Sequence, residues 1–338
     1  MDISKRSVRK IAFLTIFALA CFGFLWESPN DAISRRASVT DDQYRQNAGY
    51  LSDPLKEKDT AVYWHIPKSS GSTMKIYYGC IGLTLATQSG TTAGHETDRT
   101  LQVWERTLPG WSPVKFVNVD TSKIEGVFRA KNLGLAESGL ADVVFSPYPQ
   151  TVTYMFTPSH QARFFALFRH PIERAVSLFY YQQVATWERT EGVYQPELAD
   201  MTIEEWLTQE SGTTGYIGNT YMRDLLHKHQ FSDDDLEKAK DILRTKFLIG
   251  LTTNVEESVE RFDKYFGWYD NEKRSECKRK AIQKGVNKNP HDALKEDSKA
   301  WDILAEMNKW DLQLYEFIVQ LYEEQGELFR TVTTEDIA

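Results

Sequence analysis

The chain has 338 residues, 41% of them apolar and 26% charged, with a formal net charge of −8. That balance excludes a disordered chain and a polytopic membrane protein, and it suits one large globular domain with appendages. A body of roughly 270 residues buries most of its apolar side chains in one core.

Charge is uneven along the chain. Lys5, Arg6, Arg9 and Lys10 stand against Asp2 in the first 26 residues, and the remainder carries 36 basic and 47 acidic side chains, or −11. A body this acidic speaks against nucleic acid as a partner, which needs a broad basic surface. It leaves room for a small basic pocket around one phosphorylated ligand.

Ile11 to Trp26 contains no charged residue. As a helix it spans ~24 Å at ~1.5 Å per residue, short for an average bilayer but tolerable in a thin one. The basic flank belongs in the cytosol, so residues 1–10 read as a cytosolic tail, 11–26 as a membrane anchor, and the body as lumenal. Ala18-Leu19-Ala20 also fits a cleavage site, and a cleaved signal peptide sends the body to the same side. Residues 27–58 are polar without period and read as a flexible stem, leaving 59–330 as the folded domain. No Asn-x-Ser/Thr acceptor occurs, so N-glycosylation is not expected. Cys80 and Cys277 are either one disulfide or two free thiols, because spacing does not decide between them. No Cys/His spacing resembles a zinc site, and no metal is expected.

Within the body, Ala61–Ile66 is a buried strand by its apolar, β-branched and aromatic run, ended by Pro67. A helix is predicted from about Ser72 to Leu85. Strands follow at Lys115–Val119, Val143–Ser146, Arg163–Phe168 and Phe247–Leu251. From Pro171 the apolar spacing becomes helical through Ile172, Ala175/Val176 and Phe179. Thr202 with Glu205 and Ser232 with Asp235 have the spacing of helix caps. Val255 to Phe266 is a helix stopped by Gly267, and Trp301 to Phe329 reads as one long amphipathic helix. Strands alternating with helices predict an α/β fold, a mostly parallel sheet in a three-layer sandwich, with ligands beyond the carboxyl ends of the strands.

Two motifs fall at such strand ends. In the first, Lys68, Ser69, Ser70, Gly71, Ser72 and Thr73 form a small-residue turn between strand and helix. Its N–H groups, the helix's positive end and the lysine together make an anion cradle. It is not a nucleotide-triphosphate P-loop, because the lysine precedes the glycine. In the second, Arg169-His170-Pro171 ends a strand and Ser177 lies eight residues on, in the following helix. A guanidinium fork and a hydroxyl so spaced can hold one phosphate.

His65-Ile66-Pro67-Lys68-Ser69-Ser70-Gly71-Ser72-Thr73 resembles the 5′-phosphosulfate loop of Golgi-type carbohydrate sulfotransferases. Arg169 and Ser177 resemble that family's clamp on the 3′-phosphate. The likeness runs more weakly through Phe247–Asn254 and through Trp310 to Tyr315. It implies 3′-phosphoadenosine 5′-phosphosulfate (PAPS) as donor, a glycan or other hydroxyl acceptor, a P-loop-like fold and a Golgi membrane location. It further implies that Lys68 stabilises the leaving phosphate and that Lys284-Gly285 closes over the 3′-phosphate. For the general base, His95-Glu96 is the first candidate and Asp120 the second, since the family's histidine position holds Ser146-Pro147-Tyr148 here. Asn219 and Arg223 are further candidates for contact with acceptor or cofactor. Two other functions share these features: a nucleotide kinase or related P-loop phosphotransferase, and an inactive membrane-tethered glycan-binding module.

Overall fold

A computed structural model of the protein describes residues 45–88, 98–107, 110–111, 113–191, 193–208, 217–284 and 291–329. The apolar run 11–26 lies outside them. Among the described residues no helix is long and apolar enough to cross a membrane.

The strands are β1 (Thr60–Trp64), β2 (Thr84–Ala86), β3 (Val103–Arg106), β4 (Val114–Val117), β5 (Val143–Ser146), β6 (Ala162–Phe168) and β7 (Phe247–Leu251). They form one sheet in the order β3-β4-β2-β5-β1-β6-β7. Every pairing is parallel except β3 with β4. β1, β5, β6 and β7 are buried along their whole length, which explains their unbroken apolar composition: a parallel strand covered on both faces has no solvent side.

One face is covered by α1 (Gly71–Cys80) and α7 (Val255–Tyr265), around Tyr63, Tyr77, Tyr78, Phe145, Phe165 and Phe262. Alternate residues point the other way. Trp64 packs edge-on against Phe168 and Tyr221, at 5.6 and 6.3 Å between ring centroids, beneath α5 (Thr220–Leu226). The other helices that matter below are α2 (Ile124–Asn132), α3 (Pro171–Val184), α4 (Ile203–Thr208), α6 (Asp233–Lys246), α8 (Lys299–Met307) and α9 (Lys309–Gly326).

The capping signals act as expected. Ser232 and Asp235 form a reciprocal capping box at α6, and Thr202 exchanges hydrogen bonds with Glu205 at α4. At the β7 edge, Gln325 of α9 accepts from Ile249 N at 2.8 Å and donates to Phe247 O at 2.8 Å, closing strand groups that would otherwise stand open.

Three expectations need correction, and one strand was not foreseen. α1 stops at Cys80, not Leu85. Gly82 takes φ +95 there, and Gly82 N and Leu83 N turn back to the carbonyls of Gly79 and Tyr78, a Schellman ending that frees Thr84–Ala86 to form β2. β3 had no expectation at all, because Val103 and Trp104 are exposed on an edge strand and show no buried alternation. The long C-terminal helix breaks at Asn308, which is buried and spends its side-chain amide on Leu304 O and on Asn219 N, in competition with the helical ladder. Finally, residues 45–58, assigned to the stem, lie against the body. Ala48 bridges to Ala162, Lys246 Nζ donates to Ala48 O, and buried Arg163 binds Asp59 and the carbonyls of Tyr50, Asp53 and Pro54.

Cys80, the last residue of α1, is disulfide-bonded to Cys277 across 197 residues. The bond ties the short helix Arg274–Cys277 to the first helix.

Candidate active site

β1 sits where the chain order reverses, between β5 on one side and β6 on the other. The loops leaving β1 and β6 are therefore neighbours at the carboxyl edge of the sheet, the usual ligand crevice of such folds. His65 N donates to Ser146 O, extending the β1–β5 ladder into the loop.

The loop's shape follows from two left-handed residues. Lys68 has φ 67 and Ser70 has φ 64, while Ser69 between them and Gly71 after them stay out of that region. Left-handed residues in alternation can turn N–H groups toward one side, as in anion-binding nests, and here the Ser69 N–H is bonded to Ile66 O at 3.2 Å. Side chains pay for such angles at roughly 1–3 kcal/mol each, a cost tolerated mainly at ligand sites. Ser70, at the cap position of α1, puts no side chain on the helix end, so its first N–H groups are not occupied by that hydroxyl.

Gly71 is required for a different reason. A β-carbon there would fall 1.9 Å from Cδ2 and 2.0 Å from Nε2 of His65. His65 is thus wedged under the loop. Burial, with a smaller push from the Lys75 charge, holds its imidazole neutral by lowering its pKa to about 3.

Lys68 lies with its ammonium 3.5 Å from the centroid of the Tyr181 ring. Burial lowers its pKa to about 8, the Arg169 charge adds to the shift, and Glu188 opposes it. Lys75, one turn further along α1, is lowered by burial as well, with Asp120 and Glu188 pulling the other way.

Arg169 is the first residue after β6. Its side chain is 24% exposed, Nη1 donates to Lys68 O at 3.3 Å, and Nε lies 3.6 Å from Glu173. The main chain at Arg169 is fixed from below by the Tyr221 hydroxyl, which donates to its carbonyl. Pro171 opens α3 at once, and Ser177 lies two turns along it, half-buried. The guanidinium of the second motif therefore touches the loop of the first.

Comparison of the chain with protein-family models and with curated proteins finds no match.

The other expected residues separate into four groups. Ser69 and Thr73 are buried and Ser72 is exposed, all within the loop or first turn of α1. Asp120 is 8% exposed and already engaged: it accepts from the Ser122 amide and hydroxyl, at 3.1 and 2.5 Å, and pairs with Lys123 at 3.8 Å. Its field reaches Lys75. Lys284 is exposed in a turn. His95, Glu96 and Gly285 lie outside the described residues.

Asn219 and Arg223 both make framework contacts. Asn219 Oδ1 accepts from Trp310 N and Asp311 N at the start of α9, and Asp311 accepts from Tyr221 N and Met222 N at the start of α5. Each helix thus caps the other. Arg223 pairs with Asp224 at 3.1 Å and donates to Gly218 O.

The motifs did not point to Tyr181 or Glu188. Tyr181 donates its hydroxyl to Glu188 at 2.7 Å, in the irregular turn that follows α3. Tyr181 stands one turn beyond Ser177, a spacing that could have flagged it, but nothing local singles out Glu188. Among the described residues no three His, Cys, Asp or Glu side chains gather as a metal site.

Proposed function

We propose that the protein is a sulfotransferase that moves a sulfuryl group from PAPS to an acceptor hydroxyl, on a glycan in the secretory lumen. The observation that carries this reading is the hydrogen bond from Arg169 Nη1 to Lys68 O. Two candidate anion-binding elements from separate motifs meet there, which suits a nucleotide whose ribose is phosphorylated at both the 3′ and 5′ positions.

In this scheme the nest at 68–71 and the start of α1 receive the 5′-phosphosulfate, and Arg169 with Ser177 receives the 3′-phosphate. The acceptor oxygen forms a bond to sulfur while the sulfur–oxygen bond to the 5′-phosphate breaks in line. Lys68 neutralises the charge that develops on the departing phosphate oxygen. The lumenal assignment rests on the basic flank before residue 11.

Thermal-shift and calorimetric titration with adenosine 3′,5′-bisphosphate, set against Mg-ATP, tests the reading. Stabilisation by the bisphosphate without metal is expected. Preferential stabilisation by Mg-ATP would move the protein to the phosphotransferases, and binding without transfer to any hydroxyl would leave a glycan-binding module.

A further inference from the structure

Glu188 is out of place in an anion site. Its carboxylate accepts from Tyr181 at 2.7 Å, and the ring of that tyrosine carries the Lys68 ammonium at 3.5 Å. One aromatic side chain thus joins the proposed leaving-group lysine to a carboxylate. Glu188 also lies within electrostatic reach of Lys75 of α1.

A carboxylate so placed repels a phosphosulfate, so donor binding does not explain it. It suits the other reactant, a neutral hydroxyl that must lose a proton. Asp120, the described alternative, is occupied by Ser122 and Lys123.

The neighbouring surface has the right form for an acceptor. Trp187 is 60% exposed, its indole N–H donates to the Tyr181 hydroxyl at 3.2 Å, and the two rings lie 5.9 Å apart, edge to face. The indole offers a flat apolar wall directly beside the carboxylate.

Building on the sulfotransferase reading, we infer that Glu188 takes the proton of the acceptor hydroxyl, that Tyr181 positions it against Lys68, and that Trp187 forms the wall on which the acceptor ring rests. The acceptor O–H proton passes to the carboxylate as the new oxygen–sulfur bond forms. The electron pair of the breaking sulfur–oxygen bond leaves with the 5′-phosphate. Glu188 afterwards returns its proton to water.

The test uses the full chain, labelled PAPS, and a panel of p-nitrophenyl glycosides together with chondroitin and heparan chains. With a reactive probe in hand, Glu188→Gln should lower kcat by about 10²- to 10⁴-fold, as removal of a general base does. Its affinity for adenosine 3′,5′-bisphosphate should stay within about threefold of wild type, which shows that the variant folds and that the donor site is intact. Glu188→Asp should recover part of kcat, and Trp187→Ala should raise KM for the acceptor with little change in kcat. A Glu188→Gln enzyme turning over at the wild-type rate overturns the inference and leaves the donor site standing. Wild-type protein that binds the bisphosphate but sulfates none of these probes overturns the acceptor wall. Failure of wild type to bind the bisphosphate at all removes the parent reading with it.

Discussion

The imidazole of His65 occupies the space a β-carbon on Gly71 would need, with Nε2 only 2.0 Å from that position. The glycine of the loop is therefore dictated by a histidine six residues earlier, and only indirectly by any anion. Gly71→Ala should destabilise the protein by about 1–3 kcal/mol, the usual cost of overpacking. The double variant His65→Ala/Gly71→Ala should regain part of that loss, because the clash is gone. Urea unfolding of the three proteins checks it, and equal loss in both variants would show that the two residues do not conflict.

The same histidine sets a pH dependence. Its pKa in the folded chain, about 3, lies below the ordinary value of 6.5, so between those limits the unfolded chain binds the extra proton. Stability from this group is present above pH 6.5 and drains away as pH falls toward 3. Asp311 is pushed up to about 6 by burial and contributes the opposite slope, losing stability as pH rises from about 4 to 6. The informative quantity is thus the difference between proteins. His65→Gln should lose less melting temperature than wild type between pH 7 and pH 5.

In the proposed sulfuryl transfer, Lys68 acts in its protonated form on the departing phosphate, and burial with Arg169 brings its pKa to about 8. kcat/KM for sulfuryl transfer, which reports the free enzyme, should fall as pH rises through about 8. Lys68→Arg should remove that decline, since a guanidinium keeps its charge. Lys68→Ala should lower kcat by roughly 10²- to 10³-fold, the scale of a lost charge-stabilising donor. A pH–rate profile that is flat to pH 9.5 in wild type would take Lys68 out of this role.

Arg169 should discriminate between ligands. Replacing it with alanine removes hydrogen bonds to a charged group worth about 1.5–3 kcal/mol, or roughly 10- to 100-fold in Kd. The loss should appear for adenosine 3′,5′-bisphosphate and be much smaller for adenosine 5′-monophosphate, measured by calorimetry. Equal losses for both would place the guanidinium at the other phosphate.

The Cys80–Cys277 bond closes a loop of 197 residues between α1 and the short helix Arg274–Cys277. Reduction, or Cys277→Ser, should cost about 2–5 kcal/mol of stability. Thermal melts with and without reductant check this, and identical melts would show that the pairing adds nothing.

Much of the architecture was legible in the residues. Unbroken apolar runs at β1, β5, β6 and β7 marked buried parallel strands, and the spacing of Ser232 with Asp235 marked the start of α6. β2 and β3 were not legible, because three residues after a Schellman turn and an exposed edge strand carry no periodic signal. At the candidate site, the motifs named Lys68 and Arg169, which the fold brings into contact, but not Tyr181 or Glu188, since neither belongs to a local pattern.

Local order along the chain determined the α/β class, the small-residue turn after β1 and the arginine after β6, because each depends on side-chain period and neighbouring backbone sterics. Only the tertiary structure decided that these two turns meet, that Cys80 reaches Cys277, that Asn219 and Asp311 cap each other's helices, and that a carboxylate stands behind Lys68. The reason is strand order: the sheet sets β1 beside β6, about a hundred residues on, and a one-dimensional pattern holds no record of which strand will be its neighbour.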